Sequence, residues 1–228
     1  MEFLVPLTAS GFEIDGVLGT GFVLQKDLEF DIPHNLIRFM SPRNCSGDAV
    51  VYWRQAYSVT PLLGDAREEL LVQVTVNGHH VRAQIDSGSP RSSITVDTAR
   101  SVGIPLAPKA APRQDAIGGI GAKEVDSVLG RIETFGFGDE VIHNTEILVA
   151  DFGKFQREKQ LGSNIATSAV DDEPEMLLGA DFLRAHRVYI AESQRRIYIS
   201  YEGGPVFEIH PDHTDAEPAP QDSAKPPQ

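Results

Sequence analysis

Apolar and polar residues alternate along much of this chain with a period of two, and that pattern predicts strands. The clearest pair covers residues 70–76 and 79–85, separated by Asn77-Gly78. Between two alternating runs that dipeptide predicts a tight hairpin with a type I′ turn. On its returning arm Val81, Ala83 and Ile85 share one face and Arg82 and Gln84 the other. Similar runs predict strands at 28–32, 37–39, 125–135, 141–150, 188–190 and 197–199, and residues 50–53 read as one more. A short helix is expected over 93–103, with Ala99 and Val102 buried and Gly103 closing it. One or two helical turns are expected over 180–186. The chain therefore reads as all-β with short helices.

The same pattern occurs twice. Gly19, Phe22 and Ile37 recur as Gly179, Phe182 and Ile197, at one constant offset with no gap between them. Upstream, Glu2-Phe3-Leu4-Val5 resembles Glu146-Ile147-Leu148-Val149 once an insertion is allowed in the later copy. This is an internal repeat, whose earlier copy holds only the last third of the later one. The domain reading is a partial first repeat over 1–45, a connector over 46–66, a complete unit over 67–202 and a tail over 203–228. The tail is rich in Pro, Asp, Ser and Ala, lacks apolar periodicity and reads as disordered. Trp53 in the connector reads as a packing residue.

Composition removes several function classes. With 228 residues and 41% hydrophobic content the chain can bury a real core. Its net charge of −13 argues against nucleic acid or an anionic membrane as a partner. A single cysteine, Cys45, excludes an intrachain disulfide and a cysteine-based zinc site. No apolar run is long enough to span a bilayer. Residues 1–7 contain Glu2 and no basic segment, so they do not read as a secretory signal. The compartment is left open. His79 and His80 are neighbours on a predicted strand and point to opposite faces, so they do not read as a metal pair. No metal or other cofactor is expected.

Chemistry concentrates where the strand 79–85 ends. Asp86 is followed by Ser87, Gly88 and Ser89. A carboxylate in a tight turn can accept hydrogen bonds from backbone N–H groups and hydroxyls, which fix its orientation. General acid–base work needs that fixity. Asp, Ser and Gly are also the commonest turn residues, so the loop alone is a modest signal. Residues 116–122 hold Ile117-Gly118-Gly119-Ile120-Gly121. The following residues alternate like a strand, so these glycines suit a hairpin tip better than a phosphate-binding loop.

Taken in order, Asp86-Ser87-Gly88-Ser89, Ile117-Gly118-Gly119-Ile120-Gly121 and Leu177-Leu178-Gly179-Ala180-Asp181 resemble the retropepsin-like aspartic proteases. The likeness covers about 68–201, and its last motif looks most like bacterial two-repeat members. It implies a retropepsin-like acid protease barrel with a short helix after the Leu-Leu-Gly strand. It also implies an aspartic endopeptidase acting on extended polypeptide, with Asp86 as one of two catalytic aspartates. Ser87, Gly88 and Ser89 would support the active loop. Ile117, Gly118, Gly119, Ile120 and Gly121 would form a flap over the substrate, and Leu177, Leu178 and Gly179 would brace the loop from beneath.

One chain supplies one aspartate of the required kind. The resemblance therefore implies a partner: a second copy meeting Asp86 across a two-fold axis, or a further repeat of a longer protein. The alternative is an inactive peptide-binding module with the same fold.

Overall fold

The computed structural model describes residues 19–41, 47–64, 70–106, 127–151 and 174–207. The expected flap at 117–121, most of the polar stretch at 151–175 and the tail beyond 207 lie outside them.

In chain order the elements begin with α1 (Thr20–Val23), β1 (Asp27–Asp31) and β2 (Leu36–Met40), followed by β3 (Ser58–Pro61). Next come β4 (Leu71–Val76), β5 (His79–Ile85), β6 (Ser93–Ile94) and α2 (Val96–Ser101). Then follow β7 (Ser127–Phe137), β8 (Glu140–Ala150), β9 (Met176–Leu178) and α3 (Ala180–Ala185). The last strands are β10 (His186–Ala191) and β11 (Arg196–Tyr201). The fold is all-β with short helices. Six strands close a barrel in the order β4-β5-β9-β6-β8-β7, and the other five form a sheet ordered β2-β1-β10-β11-β3.

The hairpin at Asn77-Gly78 forms as expected. Both turn residues have positive φ, 50° and 79°, as a type I′ turn requires. Residues 50–53 are not a strand; residues 47–50 form a 3-10 turn, and the strand of the connector is β3. An edge strand as short as β3 carries almost no periodicity of its own, so the pattern does not announce it. The helix expected from Ser93 starts at Val96, because Ser93 and Ile94 pair with β8 and β9 inside the barrel. Thr95 caps it by accepting a hydrogen bond from the Thr98 N–H. The expected tail at 203 is packed as far as Phe207, which is buried edge-on against Phe135 with centroids 5.1 Å apart.

The repeat is structural. Strand β1 and the first 3-10 turn, Ile32–His34, recur at the same offset in β10 and the turn Glu192–Gln194. Even the left-handed residues that close the two turns correspond, Asn35 at φ 56° and Arg195 at φ 55°. The two copies pair through β1 and β10, with Glu29 opposite its own equivalent, Tyr189. Leu28 opposite Ile190 and Phe30 opposite Val188 are mirror positions, so the ladder has a local two-fold about that central pair.

The environments of the copies differ sharply. Phe182, Ile197 and Ile199 are at most 1% exposed, with Phe182 against Phe135 and Phe137 of the barrel. Their equivalents Phe22, Ile37 and Phe39 are 46%, 54% and 48% exposed. The barrel covers one half of a nearly symmetric sheet and leaves the other half open.

The far side of the sheet carries a buried acidic cluster. Glu29 accepts from the Tyr52 hydroxyl at 2.7 Å and from Arg38 at 3.0 Å. Asp31 meets His34 at 2.6 Å, Arg187 at 3.1 Å and Arg38 at 3.2 Å. Burial and the Glu29 carboxylate push the Tyr52 hydroxyl up to about 12. Trp53 packs on this face as expected. The Arg187 guanidinium lies 5.5 Å from its ring centre, and its indole N–H donates to Ser200.

Asp31 gives a pH prediction. Burial raises its pKa, but hydrogen bonds from His34 and Arg38 and the charge of Arg187 outweigh that, so the net shift is downward from 3.8. A depressed carboxylate stabilises the fold above its unfolded value and loses that contribution as pH falls through its folded value. Asp31→Asn is expected to cost about 3 kcal/mol near neutral pH, because it leaves Arg38 and Arg187 without one of their anionic partners. Urea melts from pH 7 to pH 2 should show the gap between wild type and variant constant at first, then shrinking below about pH 4.

Candidate active site

Strand β5 ends at Ile85 because the chain must leave the barrel there, and Asp86 is the first residue of the exit. Strand β9 lies parallel beside it, with Ala83 opposite Met176 and Ile85 opposite Leu178. Two loops therefore leave neighbouring strands at the same end and cross. The Asp86 N–H donates to the Leu178 carbonyl at 2.9 Å, and the Ala180 N–H donates to the Ser89 carbonyl at 2.8 Å.

The loop holds the carboxylate. The Gly88 N–H donates to Asp86 Oδ1 at 2.8 Å, and the Ser89 N–H donates to the Asp86 carbonyl at 3.2 Å. Asp86 is half-buried, and Ser87 and Gly88 are exposed. Ser89 is buried, and its hydroxyl donates to the Arg91 carbonyl at 2.8 Å. Within the loop, the Gly88 N–H is the group that meets the carboxylate. Ser89 instead ties the loop to itself, because its side chain points inward to the crossing.

Leu177, Leu178 and Gly179 lie beneath the loop, all within the buried end of β9 or just beyond it. At Gly179 the two backbones touch. A Cβ there would stand 2.6 Å from the Arg91 carbonyl carbon, 2.7 Å from its oxygen and 2.8 Å from the Ser89 oxygen. Only a residue without a side chain fits that crossing.

Two contributors are not legible in the sequence. Asp181, 1% exposed, accepts from the Ser92 N–H at 2.9 Å, the Ser92 hydroxyl at 2.6 Å and the Phe182 N–H at 2.8 Å. Burial raises its pKa, opposed by those hydrogen bonds and by the charge of Arg184. Glu175 stitches β5 to the approach of β9: it accepts from the Arg82 N–H at 2.9 Å and returns its own N–H to the Arg82 carbonyl at 2.9 Å. Both residues stand next to the Leu-Leu-Gly motif, but only their partners, far back in the chain, give them a role.

The profile of the family described as aspartyl protease matches residues 72–182, a span that starts in β4 and ends inside α3. Over that span, just under half of the chain, the sequence resembles the aspartyl proteases. The matched span contains Asp86, its loop and the crossing at Gly179. No curated protein matches the chain. Among solved structures, the chain is similar to a retropepsin-like aspartic protease from Rickettsia conorii. That pair shares 12% identity over 65% of this chain and 95% of the other, with a TM-score of 0.39. It is also similar to EIAV protease, at 17% identity over 54% and 91% of the two chains and a TM-score of 0.34. A third likeness is to the retroviral protease-like domain of Ddi1 from Leishmania major, at 22% identity over 52% and 77% and a TM-score of 0.31.

Among the described residues, no group of His, Cys, Asp or Glu is arranged to hold a metal ion. Among them also, no helix is long and apolar enough to cross a membrane.

Proposed function

We propose that this protein is an aspartic endopeptidase in which Asp86 is one half of a two-aspartate site. The observation that carries this reading is the loop itself. A half-buried carboxylate is fixed by the Gly88 N–H, on a backbone pinned to the strand beside it. Two carboxylates facing each other at close range cannot both ionise, so they share one proton. The ionised member takes a proton from water while the protonated member polarises the scissile carbonyl. No covalent enzyme intermediate is needed. The substrate is an extended polypeptide, held by main-chain hydrogen bonds.

The second aspartate, in this reading, comes from a further barrel seated on the open half of the sheet. The local two-fold about Glu29 and Tyr189 supports that placement, since it maps the buried Ile197 and Ile199 onto the exposed Ile37 and Phe39. The same ladder argues against a homodimer through β10, because β1 of the same chain already occupies that edge. The site is then a pseudodimer of unequal halves, of the two-repeat kind.

The test is hydrolysis of an unfolded polypeptide, such as reduced casein, from pH 3 to pH 8, with the mass of the active species measured by sedimentation. The expected result is a rate that peaks at acidic pH and falls on both sides, from a species containing two barrels. A flat rate across that range would overturn the dyad. Cleavage by a species with one barrel would overturn the pseudodimer.

A further inference from the structure

A buried acid that the mechanism above does not use lies directly under the active loop. Asp181 is 1% exposed, and its hydrogen bonds run to Ser92 and to its own helix start. Keeping a carboxylate out of water is costly unless its oxygens are satisfied. The helix does not need the acid, because α1 forms with Gly21 at the equivalent position. What the acid reaches is the far end of the loop that begins at Asp86.

The contacts form a chain. The Gly179 N–H donates to Ser92 Oγ at 2.9 Å, and that hydroxyl donates to Asp181 at 2.6 Å. The loop is thus fastened at its entrance by Asp86 to Leu178, in its middle by Ser89 to Ala180, and at its exit by Ser92 to Asp181. The first two fastenings are backbone to backbone and would survive side-chain changes. At the exit, beside the Gly179 N–H on the Ser92 hydroxyl and the strand pairing that begins at Ser93, the side-chain anchor is one carboxylate, which accepts two donors from Ser92.

We propose that Asp181 is a positioning residue for Asp86, acting through Ser92 to hold the exit of the catalytic loop. The proposal rests on reading Asp86 as half of the hydrolytic pair. Loss of the clamp lets the loop drift, and sub-ångström drift of a catalytic group lowers the rate of the chemical step more than it weakens substrate binding.

The experiment compares Asp181→Asn, Asp181→Ala and Ser92→Ala in the full chain, read by amide hydrogen exchange and by casein cleavage. Asn keeps one acceptor for the Ser92 hydroxyl and should retain more activity than Ala. The expected result is faster exchange at residues 86–92 with β7 and β8 unchanged, and a kcat lowered roughly 10- to 100-fold with KM within about twofold. Ser92→Ala removes only a hydroxyl and should reproduce the faster exchange even if Asp181→Ala fails to fold. Unchanged exchange in 86–92 for both Asp181→Asn and Ser92→Ala would overturn the proposal. So would loosened loops with unchanged kcat, which would leave Asp181 a purely structural residue. If the wild type cleaves nothing even when paired with a second barrel, the reading of Asp86 fails by itself, and the exchange data alone decide whether Asp181 clamps the loop.

Discussion

Asp86→Asn is expected to lower kcat for peptide hydrolysis by roughly 10²- to 10⁴-fold, the usual share of a positioned acid–base group. The fold should barely notice. Asn keeps an oxygen in the place of Oδ1, so the Gly88 N–H retains its acceptor at 2.8 Å. The backbone bond from residue 86 to Leu178 does not depend on the side chain. The melting temperature should therefore stay within about 2 °C of wild type, as for most surface-accessible isosteric changes. Activity retained at more than a tenth of wild type would remove Asp86 from the chemistry. Activity lost together with a large drop in melting temperature would show that the carboxylate serves the fold instead. Calorimetry and a single progress curve separate the three outcomes.

The second large effect is steric. Gly179→Ala puts a Cβ within 2.6–2.8 Å of three backbone atoms of Ser89 and Arg91. Flexible side-chain ends could yield, but these atoms belong to the active loop and are held by their own hydrogen bonds. The variant should lose about 3 kcal/mol or more, a fall of roughly 6–12 °C in melting temperature for a domain of this size. It should also lose activity, because relief of the clash has to move residues 89–91. Gly19→Ala is the matched control. It occupies the equivalent position in the first copy, where a Cβ meets nothing within 4 Å. Neither glycine has positive φ, so the contrast isolates packing from backbone conformation. Equal melting temperatures for the two variants would mean that the loops do not cross as closely as described.

Both effects arise where two loops cross, and that crossing explains what is readable in the chain and what is not. The β4–β5 hairpin is legible because Asn77-Gly78 encodes its turn locally. Asp86 is legible because a polar run follows an alternating one without a gap. The helix boundary at Val96 falls later than the pattern suggests, because Ser93 and Ile94 pair with strands far along the chain. The β3 strand escapes the pattern for the same reason: its partner is β11, and its few residues carry too little periodicity to announce it. Asp181 looks like an ordinary acid in the first turn of a helix, which the helix dipole favours in any protein.

By itself the sequence determined the strand pattern, the turn at Asn77-Gly78, the place of Asp86 at a strand end and the repeat that joins Gly19 to Gly179. These are local or self-similar features, and period, turn chemistry and identity between copies suffice to state them. Only the tertiary structure decided that β5 and β9 run side by side, that Gly179 admits no side chain and that Asp181 reaches Ser92. It also decided that the two copies join about Glu29 and Tyr189, with one half covered and the other open. The physical reason is that parallel pairing and barrel closure join residues far apart in the chain. The free energy of such contacts depends on the whole set of strands closing together, and no window of the chain contains it.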